Sequence, residues 1–449
     1  MEIKVEPKTM EIKLEQEAME IKIHRVTPEA TLKKTKEEEQ PLSPAARVFH
    51  APAFNCYVIT VIGVKKKIEP DVVIEGLKQT LIRHPRFSSK MVNKTNKNKQ
   101  TQRWVRTNVV ANNHVIVPDI QTQNIENANA DKFLDSYVSD LTLVPLDTSK
   151  PLWELHLLDL RTSDAENVAV LKFHHSLGDG MSLMALVLAC MRKTSNLNEL
   201  PTLPYQNRTS SGSSRLTGGS WSGFRFLWLF MVLWSTIMLV LNTICDALKF
   251  IATAMFLKDT KTPIKGDYRL SKPKRMSLVH LTVSLDDIKL IKTNMKMDLA
   301  DMMDKGSKCR WGSLRTSWNT KRIIDRKKNS LEAALTFIVG KFMIKAFGVK
   351  VTANLLNRML SNTTMSFSNL IGPIEEISFF GHPITYMAPS VYGHPHALTM
   401  HFQSYMNKMT ISLTVDPTVI INPHQLLDDW EESLRTIKTA VQERGSTLQ

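Results

Sequence analysis

The stretch LKFHHSLGDGMSLM, residues 171–184, decides how the rest of the chain is read. NVAVLKFHH (167–175), which leads into it, is an apolar run with the pattern of a strand, and MSLMALVLACMRK (181–193), which follows, has the pattern of a helix. His174, His175 and Asp179 therefore fall on a strand-to-helix turn, with Gly178 and Gly180 suited to it. Such a turn places side chains at the mouth of a cleft and leaves the backbone N–H groups of the helix start unpaired. An imidazole, with an ordinary pKa of about 6.5, suits removal of a proton from a hydroxyl near neutral pH. A carboxylate close by can hold the turn rigid through an ion pair or backbone hydrogen bonds. On these residues alone, a catalytic base and a structural polar loop both remain open.

Outward from the turn, the first half reads as mixed α/β. NCYVITVIGVKK (55–66), RWVRTNVV (103–110), HVIVPDI (114–120) and LWELHLLDL (152–160) look like strands. The stretch 68–87 reads as a helix opened by Pro70 and Asp71 and stopped at Pro85, and 130–142 as another. In the second half, 275–285 is a strand pattern, LDDIKLIKTNM a helix, and an apolar helix starts near Ser330. SNTTMSFSNLIGP, HPITYMAPSVYG, HALTMHFQSYMNK and MTISLTVDP read as strands and turns of a second sheet, and 424–443 as an amphipathic closing helix.

Between the halves, 195–220 is rich in Ser, Gly and Pro and reads as a flexible linker. It leads to an apolar segment, 226–257, in which 226–245 is free of charge, about the ~20 residues needed to cross a bilayer. At the other end of the chain, MEIK begins at Met1, Met10 and Met19, in a charged tract that cannot bury enough apolar surface to offset its ordering entropy. Residues 1–40 are accordingly expected to be a disordered extension. The N-terminus lacks the apolar core of a signal peptide, which argues against secretion.

The chain has 449 residues and a formal net charge of +15, which favours an anionic partner: a membrane surface, nucleic acid or a phosphorylated cofactor. No nucleic-acid module or basic strip with interleaved aromatics is present, so a nucleic-acid partner is not expected. The four cysteines, Cys56, Cys190, Cys245 and Cys309, show neither a disulfide framework nor metal-ligand spacing, so no metal is expected. There is no GxSxG and no cysteine beside a histidine, which leaves a nucleophilic serine or thiol without support.

HHSLGDG fits the HHxxxDG signature of the plant-type wax ester synthase/diacylglycerol acyltransferase family, and the chain resembles that family in two further places. PLWELHLLDL, with Pro151, Leu152 and Trp153, matches a second motif upstream, and SFSNLIGP, with Ser368, Asn369, Gly372 and Pro373, matches a third. The resemblance spans about 41–441. It implies a two-domain α/β fold similar to that of chloramphenicol acetyltransferase, carnitine acyltransferases and condensation domains, with the active site in a tunnel between domains and an inserted membrane-associated apolar helix. The domains would be 41–194 and 272–449, joined through 195–271.

Carried onto this chain, the resemblance makes His175 the general base that deprotonates an alcohol for attack on an acyl-CoA thioester, with His174 in support. Asp179 would order the loop, Gly180 would keep the channel open, and the residues of the second and third motifs would shape the tunnel. Acyl-CoA would be a co-substrate, with no cofactor, and the acceptor a long-chain alcohol or diacylglycerol at a membrane lipid surface. The implied location is the endoplasmic reticulum membrane with the catalytic domains in the cytosol, the plasma membrane being the alternative.

Two features depart from that pattern. The family carries an Asn-Asp motif after the helix LDDIKLIKTNM, and no Asn-Asp dipeptide occurs in this chain. Residues 298–330 are polar and basic, so the second domain reads as shortened near 297–330, as if by two internal deletions. This raises the alternative of a catalytically impaired relative that binds lipid or a partner. Second, a simple span at 226–245 would put His175 and Asn369 on opposite faces of a bilayer. The apolar segment is therefore expected to enter and return, with 244–257 as the returning arm.

Overall fold

A computed structural model of the chain describes residues 39–96, 99–120, 129–202, 221–260, 262–266, 274–297 and 331–447. The MEIK repeats, most of the Ser/Gly/Pro-rich linker and the polar stretch 298–330 lie outside the described residues.

The described chain opens with strand β1 (Glu39–Pro41), whose first two residues belong to the tract expected to be disordered; it pairs antiparallel with residues 103–105. Helix α1 (Pro44–Phe49) follows, started by Ser43, whose hydroxyl accepts from the Ala46 amide. β2 (Tyr57–Val64) leads to α2 (Pro70–Gln79). That helix is shorter than its apolar pattern suggested: Thr80 leaves helical geometry with its hydroxyl bonded back to the Gly76 carbonyl, and a single 3₁₀ turn precedes Pro85. Next come β3 (Ser89–Asn96), β4 (Lys99–Arg106), β5 (Val115–Ile116), α3 (Ala130–Leu141), β6 (Trp153–Leu158) and β7 (Asn167–His174). α4 (Gly180–Ala189) stops earlier than expected, because Met191–Lys193 forms strand β8.

α5 (Trp221–Met255) is one continuous helix of 35 residues, which corrects the expectation of an entering and returning pair. Nothing in 221–255 supplies the Gly or Pro break that a tight reversal requires, and Gly223 lies in its first turn. Within it, Phe230–Thr253 is long and apolar enough to cross a membrane by length and composition, and 6% of its most apolar window is buried. β9 (Ser277–Ser284), α6 (Leu285–Met297) and α7 (Glu332–Ser361) follow. α7 is sharply kinked at Gly348, whose φ of 80° is open to glycine. The chain ends through β10 (Ser366–Ile371), β11 (Ile377–Phe379), β12 (His382–Tyr392), β13 (Leu398–Tyr405), β14 (Lys408–Val415) and α8 (Pro423–Thr447).

Among the described residues three sheets form. The largest has the order β5-β6-β7-β2-β12-β11-β8, a second has the order β10-β13-β14-β9, and the third is β1-β4-β3. β12 was read from its sequence as part of the second sheet; it pairs instead with β2, from Tyr392 opposite Tyr57 to Ile384 opposite Val64. Its alternating pattern identifies a strand, but pairing partners depend on non-local packing that a local pattern does not carry. The central position of β2 explains its composition. YVITVIGV is flanked by β7 and β12 and buried on both faces, so apolar residues run through it almost without interruption.

α7 ties the molecule together. Ala353 packs with Val48 and Ala51 beside α1, the Leu331 amide donates to Thr243 Oγ1 (3.0 Å), and Asn362 Nδ2 donates to the Thr253 carbonyl (2.7 Å). The C-terminal third of α5 is thereby fastened to the body. Its earlier turns expose Trp228, Phe230, Leu233 and Trp234.

Candidate active site

β7 runs into the HHSLGDG turn as its pattern indicated. His174 is the last strand residue, residues 175–177 make one 3₁₀ turn, and Asp179 caps α4 by accepting the Ser182 amide on Oδ1 at 2.8 Å. Asp179 is exposed and acts on the backbone, one of the two ways in which a carboxylate was expected to hold this turn.

The two histidines have different surroundings. His174 is 2% exposed and its ring is fully engaged. Nε2 lies 2.8 Å from Asn55 Oδ1, which is an acceptor, so Nε2 carries the proton; Nδ1 then accepts from the Ser176 amide (3.2 Å) and hydroxyl (2.7 Å). His50 stacks on its face with ring centres 4.3 Å apart, and Tyr57 meets it edge-on. Burial, with minor repulsion from His50 and His175, pushes its pKa down to about 2. His174 is thus a neutral structural ring at physiological pH.

His175 faces a cavity of about 360 Å³, enclosed mainly by β2, β7, β12 and α4 on one side and by β10, β13 and α7 on the other. Phe49 stacks on its ring at 4.3 Å. Its Nδ1 is buried without a hydrogen bond of ordinary geometry. Burial lowers its pKa below the usual 6.5, while its own backbone, that of Gly178 and the Asp179 carboxylate act weakly the other way. The base form is therefore the resting form at neutral pH.

Gly180 also lines the cavity, and a methyl group there would lie 3.8 Å from Leu370 Cδ2, in ordinary contact, so only larger side chains would obstruct it. Pro151, Leu152 and Trp153 are absent from the wall. Trp153 is fully buried on β6 opposite Phe173 of β7, donating Nε1–H to the Phe87 carbonyl (2.9 Å) and stacking on His114 (4.3 Å), while the Leu152 carbonyl accepts from the His174 amide (3.0 Å). These residues hold the strand that carries the histidines.

In β10 the residues alternate. Ser366, Ser368 and Leu370 line the cavity, and Phe367 and Asn369 are exposed on the other face. Gly372 admits no side chain, because a Cβ would sit 2.2 Å from the Ser404 carbonyl oxygen; its amide donates to Ser404 Oγ (3.2 Å), and the Pro373 carbonyl accepts from Met406 (2.8 Å). This pair anchors β10 to the end of β13. Of the residues singled out from sequence, His175, Gly180 and Ser368 meet at the cavity, and the others support its walls or, like Asn369, face away.

Sequence reasoning passed over the rest of the wall: Phe49 and Phe54, Cys56 ahead of β2, and the histidines His394 and His401. Burial pushes His394 and His401 down to about 3 and about 4, and raises the Cys56 thiol above its usual range, so all three are neutral. HxxxxxxH, running from the β12–β13 connection into β13, matches no catalytic spacing, and only the approach of the two sheets brings these rings to His175.

Two family models match the chain. One, described as the wax ester synthase/diacylglycerol acyltransferase catalytic domain, covers residues 59–303, and the WS/DGAT C-terminal domain covers 313–438. Wax ester synthase/diacylglycerol acyltransferase 6 of Arabidopsis thaliana is 66% identical over 508 aligned residues, which take in 94% of this chain and 98% of the relative. Wax ester synthase/diacylglycerol acyltransferase 5 of the same plant is 64% identical, over 93% of this chain and 97% of the relative. The first alignment is longer than the 449 residues of this chain, so the relative holds positions that this chain does not fill. Among solved structures, the wax ester synthase/diacylglycerol acyltransferase from Marinobacter aquaeolei VT8 superposes with a TM-score of 0.55 at 14% identity, over 90% of this chain and 100% of that one, and so shares the fold.

Proposed function

The chain belongs to the wax ester synthase/diacylglycerol acyltransferase family, and on that premise we propose that it transfers a fatty acyl group from acyl-CoA to a long-chain alcohol or to diacylglycerol, with His175 as general base. The observation that carries this reading is the environment of His175: a neutral imidazole on the wall of a largely apolar cavity, beside a neighbour whose ring is fully occupied. His175 takes the hydroxyl proton as the alcohol oxygen attacks the thioester carbonyl carbon. The tetrahedral oxyanion collapses with cleavage of the C–S bond, and the proton on His175 passes to the departing CoA sulfur, giving ester and free thiol. No acyl-enzyme is needed, because a thioester already carries a good leaving group. The formal charge of +15 suits a polyanionic CoA and an anionic lipid surface.

The acceptors dissolve in membranes, and α5 offers the apolar surface to reach them. Residues 39–202 and the C-terminal third of α5 belong to one compact body. If α5 crossed a bilayer completely, 203–220 would have to cross back, carrying Arg208 and Arg215 through hydrocarbon at a cost of about 2.5 kcal/mol or more each. This supports α5 lying in the plane of the cytosolic leaflet of the endoplasmic reticulum, both halves of the cavity on the cytosolic side. Protease protection of 39–202 and 331–447 on opposite faces would overturn it.

A second reading has its own support. The missing Asn-Asp motif, and an alignment with a relative longer than this chain, favour a binding protein that retains the fold without turnover. One experiment separates the two: expression in a host without neutral lipid synthesis, fed fatty alcohol, with wax ester measured for the wild type and for His175→Ala. Ester made by the wild type and lost in the variant supports the transferase. Ester from neither supports the binding protein.

A further inference from the structure

His401 occupies the wall across from His175 and has no role in the reaction as derived above. It is the fourth residue of β13, 5% exposed, with Nδ1 buried and unpartnered. A buried ring nitrogen without a partner costs about 1–3 kcal/mol, so the position needs a reason. The ring lines the same cavity as His175, and the two are close enough that a charge on one disfavours a charge on the other. In the parallel pairing of β10 with β13, His401 stands opposite Ser368, which shares that wall.

Attack by the alcohol moves negative charge onto the thioester oxygen, and catalysis of this kind depends on a donor fixed in advance where that charge appears. Of the cavity's other polar side chains, Thr399 and His394 lie within hydrogen-bond reach of each other (3.4 Å), Cys56 is a weak donor, and the hydroxyls of Thr60, Ser366 and Ser368 rotate freely, whereas the His401 ring is planar and has a buried nitrogen without a partner. We propose that His401 donates a ring N–H to the carbonyl oxygen of the acyl thioester and stabilises the oxyanion that forms there. This rests on the acyl-CoA reading above and adds to it the group that meets the acyl carbonyl.

Burial keeps His401 neutral, with its pKa pushed down to about 4, which suits the task. A neutral imidazole offers one N–H donor and does not oppose protonation of His175, whereas an imidazolium across the cavity would. The donor also needs no reorganisation, because its strand is paired on both sides, with β10 and with β14.

The test uses His401→Phe, which keeps a ring of similar shape without a donor, and His401→Gln, which returns an N–H donor. With acyl-CoA and fatty alcohol, His401→Phe is expected to lower kcat by about 10²–10³-fold with KM for the alcohol nearly unchanged, and His401→Gln to recover part of that loss. Binding of decanoyl-CoA and of the thioether S-decyl-CoA, measured without acceptor, supplies a readout independent of turnover. The wild type is expected to prefer the thioester, and His401→Phe to erase the preference while binding the thioether as before.

If His401→Phe weakens both ligands equally, or leaves kcat at the wild-type level, the assignment is overturned and the transferase reading stands. A wild type that binds neither ligand overturns the acyl-CoA reading and the assignment with it. If His401→Phe does not fold, His401→Leu carries the test: a loss of thioester preference with thioether affinity preserved supports the proposal, and full preference with wild-type kcat overturns it. An equal loss of affinity for both ligands in His401→Leu overturns it as well.

Discussion

Asn55 Oδ1 lies 2.8 Å from His174 Nε2, and this contact decides which member of the histidine pair is free to accept a proton. Because an amide oxygen only accepts, His174 must hold its proton on Nε2, and Ser176 occupies the other nitrogen. Adjacent residues of one type thus have different tasks.

Exchanging each histidine separately should show this division. His174→Ala leaves the buried Ser176 without its partner, releases Asn55 and opens space beside His50, so it is expected to cost about 2–4 kcal/mol of stability. His175→Ala forfeits mainly a ring stack on Phe49, about 0.5–1.5 kcal/mol. Thermal unfolding is expected to show a clearly larger fall in Tm for His174→Ala, while wax ester formation is expected to disappear in His175→Ala with the fold retained.

Acid should weaken the fold well before carboxylates titrate. His156 and His401 are nearly fully buried, with burial pushing each down to about 4, against about 6.5 in the unfolded chain. Between those values the unfolded state binds more protons, so stability rises with pH and is lost as pH falls below 6.5. Each such ring accounts for about 2 kcal/mol between pH 7 and pH 5. Tm measured across that interval should fall steeply, and less so in His401→Phe. The acid limb of turnover, reporting His175, should lie below pH 6.5, since its pKa is lowered by burial.

Gly180→Ala is expected to be active, since a methyl group meets Leu370 at 3.8 Å. Gly180→Leu projects further into the cavity and is expected to shift the products toward shorter chains, read as the chain-length profile of esters by gas chromatography. An unchanged profile with Leu at 180 would show that acyl and alkyl chains run elsewhere.

Gly393 has a φ of 99°, and a Cβ there would sit 2.1 Å from the Asn55 carbonyl oxygen. Gly393→Ala should therefore displace Asn55 from His174 and destabilise by about 2 kcal/mol or more. Chemical unfolding of this variant beside Asn55→Ala is expected to show losses that are not additive, because both disturb one contact.

Three exposed residues of α5, Trp228, Leu233 and Trp234, carry the membrane reading. Replacing all three with serine should weaken binding to anionic liposomes at least ~100-fold, since each large apolar side chain contributes about 1.5–3 kcal/mol on leaving water. Liposome flotation checks this, and unaltered flotation would move the contact to another surface.

Much of this molecule was legible in the residues themselves, for reasons that are local. The strand NVAVLKFHH, the turn at HHSLGDG and the helix after it follow from side-chain alternation and from the capping chemistry of Asp179, which act over a few residues. The apolar content of α5 was equally plain, but its continuity through Ile244 was not. The second and third motifs told where the family pattern lay; they did not tell that Trp153 is buried off the cavity wall or that Asn369 faces outward.

Local pattern determined which segments are strands and helices, and which imidazoles sit at a turn. Tertiary structure alone decided that β12 joins β2, that β10 and β13 close over α4, and that His401 shares a cavity with His175 across 226 positions of sequence. Strand pairing and the fit of one sheet against another are settled by the burial of whole faces. The environment that occupies the ring of one histidine and turns its neutral neighbour to the cavity exists only once those faces have met.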